Sequence, residues 1–330
     1  MSPKFQRTAR VLGHLGFVAM LALGAAWVAT ATTIHLAAPV LWLAYVALAV
    51  IVLAALLSRL RNRRTSWAVL VIAAVAVAGW YQTIQPSQTR NWAAEVAHGV
   101  SYSRAGDVIT LHNVRNFLWT SDTENIPAWE DRSYDLTKLA SVDMLTSVWD
   151  SPDIAHLIVS FGFTDGQHVA FSVEIRKEAH ESFSTVGGFF RQFELVLIAA
   201  DEADIVRLRT NLRQEDVHLF PVKLNAEQRQ TLLLTYLDLG NRLAAKPQFY
   251  NTVTANCTSV VYRLVQVIKP DMPLDRRLLL SGQLPEYIDE LGGLPGDLPM
   301  NERRQLAAIT ARAQTIGPDQ DYSALIRSTN

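Results

Sequence analysis

Three side chains far apart in the sequence have the types needed for nucleophilic chemistry: His156, Glu174 and Cys257. A thiolate attacks carbonyl carbon, an imidazole takes the thiol proton, and a carboxylate holds the imidazole in one tautomer. Cys257 is the only cysteine, so it has no intrachain disulfide partner and cannot belong to a cysteine-based zinc cluster. It lies in Tyr250-Asn251-Thr-Val-Thr254-Ala-Asn256-Cys257-Thr, in the first turn of a helix predicted over residues 254–268. Unpaired amides and the helix dipole favour a thiolate there, and those amides can receive an oxyanion. A second reading stays open. Cys257 shares the apolar stripe of Val260, Val261 and Leu264, and cysteine often serves as a small buried hydrophobe. Tyr250 and Asn251 are further positioning candidates.

His156 and Glu174 sit in a predicted hairpin, residues 154–163 and 167–177, joined at Thr164-Asp165-Gly166. A two-residue turn would set each apolar face beside the other strand's polar one. A three-residue turn with Gly166 in the left-handed conformation aligns apolar with apolar. That register puts His156 opposite Glu174, with Cβ atoms about 5 Å apart. It also gathers Ser160, Gly162, Ala170 and Ser172 into a small-residue face against which a helix can pack. His168 falls near Gly162, roughly 20 Å along the strand from His156 at ordinary rise. A structural carboxylate satisfying a half-buried histidine is the other reading of the pair. Arg176 shares the Glu174 face and is a secondary candidate, for function or for neutralising that carboxylate.

The elements that must position these residues are mixed. Strand-like enrichment marks residues 107–112, 132–136, 142–149, 154–163, 167–177, 193–200 and 217–224,. Helical patterns cover residues 201–212, 225–245, 254–268 and 284–291,. Strands first and helices after predict an α+β domain with an antiparallel sheet packed on helices. Its expected extent is 107–293, with 86–106 as a linker and 294–330 as a tail of one short helix and then disorder.

Residues 1–85 form a different block, with apolar stretches at about 12–34, 39–57 and 67–84, each near the length that crosses a bilayer. Between Leu12 and Ile84 the only charges are Arg59, Arg61, Arg63 and Arg64. A signal peptide, or a buried hairpin of a soluble protein, fits the three stretches less well. Lys4, Arg7 and Arg10 precede the first stretch, the arginine cluster follows the second, and the loop around His35 has no Lys or Arg. The positive-inside rule therefore predicts a cytoplasmic N-terminus and a domain on the outer side of a bacterial-type inner membrane.

Composition excludes several classes. A net charge of −1 gives no footprint for nucleic acid. His156 and His168 are too few and too scattered for a metal site, and no phosphate loop, dinucleotide fingerprint or Gly-x-Ser-x-Gly elbow is present. No metal or cofactor is expected. The spans lack the buried carboxylate or lysine of a transporter.

At its candidate residues the chain resembles the Lnb N-terminal periplasmic domain family, bacterial proteins associated with lipoprotein N-acylation. The resemblance runs from about residue 107 to 291. It rests on Ile154-Ala-His156, Phe161-Gly-Phe, Asp165-Gly166, Phe171-Ser-Val-Glu174-Ile-Arg176 and Tyr250-Asn251 with Thr254-Ala-Asn256-Cys257-Thr. More distantly, a histidine strand followed by an Asn-Cys helix is similar to permuted papain-like enzymes, including the lecithin–retinol acyltransferase group. There a second histidine often assists the first; here Glu174 takes that place by register. The resemblance implies acyl transfer through a thioester on Cys257, with membrane lipid and a lipoprotein N-terminus as substrates. His156 would be the base, Glu174 its orienter, and Asn256 or backbone amides the oxyanion donors. A papain-like peptidase or amidase of the cell envelope, and a non-catalytic membrane-anchored module, are the alternatives.

Overall fold

The computed structural model describes residues 3–328. The chain divides into two compact units, one of the three long helices with Phe190–Gln192, the other of Ser87–Phe189 and the chain from Phe193 onward.

In the first unit α1 (Pro3–His35), α2 (Val40–Arg61) and α3 (Arg63–Thr83) are long and apolar enough to cross a membrane. Large apolar side chains point outward all along them, with Leu23 73%, Leu43 69% and Ile72 70% exposed, a pattern that suits hydrocarbon rather than water. Phe17, Leu21 and Ala55 form a small internal contact. The basic loop expected between the second and third spans shrinks to Asn62, whose side chain accepts from the Arg64 amide at 2.9 Å and caps α3. Such a cap lets a new helix start within one residue of the old one.

The second unit is built on an eight-stranded sheet, with β1 (Ser101–Ala105), β2 (Val108–Arg115), β5 (Trp129–Asp135), β6 (Leu139–Val148), β7 (Ala155–Phe163), β8 (His168–Arg176), β9 (Glu194–Ala200) and β10 (Asp216–Pro221). The order is β1-β2-β9-β8-β7-β6-β10, with β5 also on β2; β3 (Leu118–Trp119) and β4 (Asn125–Ile126) pair separately. Pairing is antiparallel except for the short β2–β9 contact, Val114↔Ala199 and Arg115↔Ala200. The hairpin has the expected register. Ser160 faces Ala170, Gly162 faces His168, and Gly166 takes φ +86° in the turn. A Cβ on Gly162 would stand 2.8 Å from His168 Nε2, so glycine there makes room for that ring.

Alternation along β7 and β8 gives the sheet two unlike faces. Leu157, Val159, Phe161 and Val173 join a core with Leu233 and Tyr236 of α5 (Ala226–Ala245) and Val260 and Leu264 of α6 (Cys257–Val265). Asn225 and Asn256 start these two helices with reciprocal capping boxes to Gln228 and Ser259, which satisfies amides that the first turn leaves open. The opposite face is the small-residue one, and α4 (Glu202–Arg207) lies against it: Ser160 donates to Glu202 at 2.5 Å, and Ala170 joins the cluster of Ile205 and Val206. Buried ion pairs stud this side. Arg115 grips Asp204 at 2.8 Å, and Arg327 reaches Asp143 at 2.8 Å and Glu202 at 2.7 Å.

Two boundaries differ from expectation. The linker at 86–106 contains β1 and the buried Val96 and Val100. β1 is a polar edge strand, Ser-Tyr-Ser-Arg-Ala, without the alternation that marks half-buried strands. The tail at 294–330 is ordered through α8 (Met300–Ala307), α9 (Thr310–Ala313) and α10 (Tyr322–Arg327), after α7 (Leu284–Glu290). Ile309, Ala313, Tyr322 and Ile326 are buried against the second face. Single apolar residues in helices this short leave no period to read.

Candidate active site

The β7–β8 ladder runs out at Ile158↔Ser172, and the site is built where the two strands part. Extended outward, the same register next brings His156 beside Glu174 on that face. His156 Nε2 stands 3.1 Å from Glu174 Oε1 and 2.6 Å from Ser172 Oγ, and Ser172 donates to the same carboxylate oxygen at 2.7 Å. The start of α6 meets this fork. The Cys257 thiol lies beside the His156 ring and the Leu157 backbone amide, close enough for both to bear on its protonation. With Nε2 committed to Ser172 and Glu174, Nδ1 is the ring nitrogen left for the thiol proton. The sulfur of one element and the imidazole of another are thus neighbours, with the carboxylate at Nε2 of the ring.

Electrostatics point one way. Burial opposes the imidazolium, but the charge of Glu174 and the hydrogen bonds to Cys257 and Glu174 outweigh it, and the His156 pKa is pushed up to about 9. Burial likewise raises the Glu174 carboxyl, yet His156, Arg209 and Ser172 together hold it well below the usual carboxylate range. For Cys257, burial favours the thiol; the His156 bond and charge, with the Leu157 amide, reverse this and lower its pKa. An imidazolium–thiolate pair follows from the combination.

Two backbone amides at the start of α6 are open to an acceptor. Within α6 the Ser259 amide is bonded by the Asn256 side chain and the Val260 amide by the Asn256 carbonyl; among the described residues the amides of Cys257 and Thr258 have no acceptor. Asn256 itself is occupied. Its Oδ1 caps the helix at 2.7 Å from the Ser259 amide, and its Nδ2 donates to the Thr252 carbonyl at 2.7 Å. The cap fixes Oδ1 and the Thr252 carbonyl takes one of the two Nδ2 hydrogens, so the side chain is anchored to the helix start and the turn ahead of it,.

The remaining sequence candidates are placed as follows. Asn251 organises the turn ahead of the cysteine, its Oδ1 accepting from the Val253 and Thr254 amides at 3.1 and 2.9 Å. Tyr250 lies close enough for the charges of Cys257 and Glu174 to add to burial in raising its phenol, so it stays a protonated donor near the sulfur. Arg176 is elsewhere. It donates to the Val96 and Ala97 carbonyls and covers the Trp92 ring at 4.5 Å, and so pins the strand's approach rather than neutralising Glu174.

That task falls to Arg209, which sequence reasoning missed. It donates to Glu174 Oε1 at 3.5 Å and to Glu215 Oε2 at 3.2 Å, and Glu215 is held in turn by Ser147, the β6 partner of His156. Arg209 comes from a π-helical turn, Leu208–Leu212, that continues α4, a local widening found often at functional sites. Ser172 was readable: it lies two residues before Glu174 on the same strand face. No residue pattern announces the π turn.

Residues 125–282 match the family model described as the Lnb N-terminal periplasmic domain. Within the globular unit this span resembles that family. His156, Glu174 and Cys257 all lie within the matched span of the Lnb domain, whereas β1, β2 and α8 to α10 lie outside it. Nothing among curated proteins or solved structures matches the chain. Three membrane-length helices ahead of an Lnb domain describe a membrane-anchored protein. Among the described residues no group of three His, Cys, Asp or Glu side chains is placed to hold a metal ion.

Proposed function

We propose that the protein is a cysteine-dependent acyltransferase whose Lnb domain works on the periplasmic side of the inner membrane. The observation that carries this reading is the contact of Cys257 with His156, backed by Glu174. Supporting it are the two free amides at the start of α6 and the resemblance to proteins associated with lipoprotein N-acylation. The proposed orientation rests on the basic residues in the first turns of α1 and at the α2–α3 junction,.

The thiolate of Cys257 attacks the carbonyl carbon of an ester-linked fatty acyl group. A C–S bond forms while negative charge collects on the carbonyl oxygen, which the Cys257 and Thr258 amides receive. The C–O bond then breaks, and His156 gives its Nδ1 proton to the departing alkoxide, leaving an acyl thioester. In the second half an α-amino group, that of a lipidated N-terminal cysteine, attacks the thioester while His156 takes its proton; the C–S bond breaks and the thiolate returns. Glu174 stabilises the imidazolium in both halves. Water in place of the amine would make the same site a hydrolase.

Intact-protein mass spectrometry of the full chain purified from membranes, after mild acid quench, tests the reading. A fatty-acyl mass on Cys257, released by hydroxylamine and absent in Cys257→Ala, is the expected result. Lipoprotein N-termini from cells lacking the protein should then lose their amide-linked chain. Full N-acylation in cells carrying only Cys257→Ala would overturn it.

A further inference from the structure

The core beneath α6 is not completely filled. A cavity of about 90 Å³ runs between α6 and the sheet, walled by Thr258, Val261 and Val265 on one side and by Leu157 and Val159 on the other, and extending to Ile268. It begins beside the nucleophile: Thr258 follows Cys257 in the chain, and the Leu157 amide lies beside the sulfur. From Thr258 to Val265 the helix covers roughly 10 Å. Leu157 and Thr258, the lining residues next to His156 and Cys257 in sequence, are buried, and Val265 and Ile268 at the far end are half-buried.

Its chemistry suits hydrocarbon. The Thr258 and Tyr262 hydroxyls on the wall are already bonded to Asn256 and the Met272 carbonyl, and the fully buried Tyr236 hydroxyl has no partner among the described residues. A water there would find too few polar partners to repay its confinement, whereas an apolar chain loses nothing by entering. Cores are ordinarily packed without such voids. This slot lies directly behind a nucleophile that shares its chain with three apolar membrane-length helices.

We infer that the cavity is the binding slot for the hydrocarbon tail of the acyl group carried on Cys257, and that Val261 and Ile268 set the chain length accepted. The inference rests on the acyl-thioester reading above. As it stands the cavity takes a short alkyl segment; a longer chain follows it past Ile268 at the half-buried end.

The test uses the full-length protein in detergent with acetyl, hexanoyl, decanoyl and palmitoyl esters of p-nitrophenol. Attack by the Cys257 thiolate forms the thioester and breaks the ester C–O bond, and p-nitrophenolate leaves with the electron pair. The wild-type protein should be acylated faster by the longer esters. Val261→Phe and the half-buried Ile268→Trp should each cut the palmitoyl rate relative to the acetyl rate by roughly tenfold or more, and retained acetylation shows that the variant is folded. Acylation of Cys257 with the same chain-length profile in the wild type and in folded variants overturns the slot and leaves the thioester reading intact. No acylation of wild-type Cys257 by any of the four esters overturns both.

Discussion

The two faces of the central sheet solve the problem of burial in opposite ways. Under α5 and α6 the face is hydrocarbon, with Leu157, Val159, Phe161 and Phe171 against Leu233, Tyr236 and Leu237. Under α4 and the C-terminal helices it carries Asp143, Ser147, Ser160 and Ser172, all buried, satisfied in turn by Arg327, Glu215, Glu202 and Glu174. A hydrocarbon face gains from area alone. A polar face holds only while every partner is present, because the attraction of a buried ion pair barely exceeds its desolvation cost. His156 and Glu174 belong to the second kind of surface, and Cys257 to an element packed on the first. The site lies where the β7–β8 ladder opens and the two meet. The difference teaches that the thiol and the imidazole of the candidate site are held by separate kinds of force.

That separation can be broken at its centre. Cys257→Ala should lower acyl transfer by about 10³-fold or more and leave the unfolding temperature in detergent unchanged, since the sulfur packs only at the edge of the apolar core. Next in size are the two faces themselves. Arg327→Met strands Asp143 and Glu202 and should cost about 3–5 kcal/mol; Leu233→Ala on the opposite face should cost about 2–5 kcal/mol. Their pH dependence separates them. Burial pushes Asp143 above its ordinary range even beside Arg327, whereas Arg327 outweighs burial at Glu202 and holds it below. With Arg327, the Glu202 contribution is present above the ordinary carboxylate range and fades as pH falls through its lowered value. Without it both carboxyls protonate more readily, so the penalty is largest at neutral pH and shrinks on acidification. Denaturant midpoints at neutral and mildly acidic pH should converge on wild type for Arg327→Met and keep their gap for Leu233→Ala.

A smaller effect sharpens the site. In the wild type, iodoacetamide should alkylate Cys257 rapidly below the usual thiol range, because the His156 bond and charge overcome burial. Glu174→Gln removes the charge that raises His156. The loss of imidazolium outweighs the relief of carboxylate repulsion, so the alkylation midpoint should move up by about one pH unit, close to tenfold in rate at neutral pH. The sign for stability agrees. The raised His156 contributes fully below its unperturbed value of 6.5 and loses that contribution as pH rises through about 9, so stability should decline on the alkaline side in the wild type and less so in Glu174→Gln. Smallest of all, Asn256→Ala removes the α6 cap and should cost about 1 kcal/mol, measured by chemical denaturation.

Much of this arrangement was legible before any coordinates. The Thr164-Asp165-Gly166 turn and the apolar alternation of its strands fix the hairpin register, and with it the meeting of His156 and Glu174. The Asn256 cap places Cys257 in a first helical turn. Both rest on local rules with short periods. Arg209 does not: it arrives from a π turn 35 residues after Glu174, and only the packing of α4 brings it near. Arg176 was misjudged for the converse reason, because sharing a strand face with Glu174 says nothing of the Val96 and Ala97 carbonyls that hold it instead. The polar edge strand β1 and the short C-terminal helices escaped because they lack the repeated apolar spacing that makes an element visible.

Arg327 also bears on the order of assembly. It closes contacts with residues 184 and 125 positions earlier, Asp143 and Glu202. At cellular synthesis rates of about 5–20 residues per second, the first of these carboxylates emerges on the order of ten seconds or more before its counter-charge. The rear of the sheet therefore cannot finish closing until α10 has been delivered, and such long-range closure slows folding. A nascent chain in that interval carries a half-covered sheet, the state most exposed to proteases and to sticking.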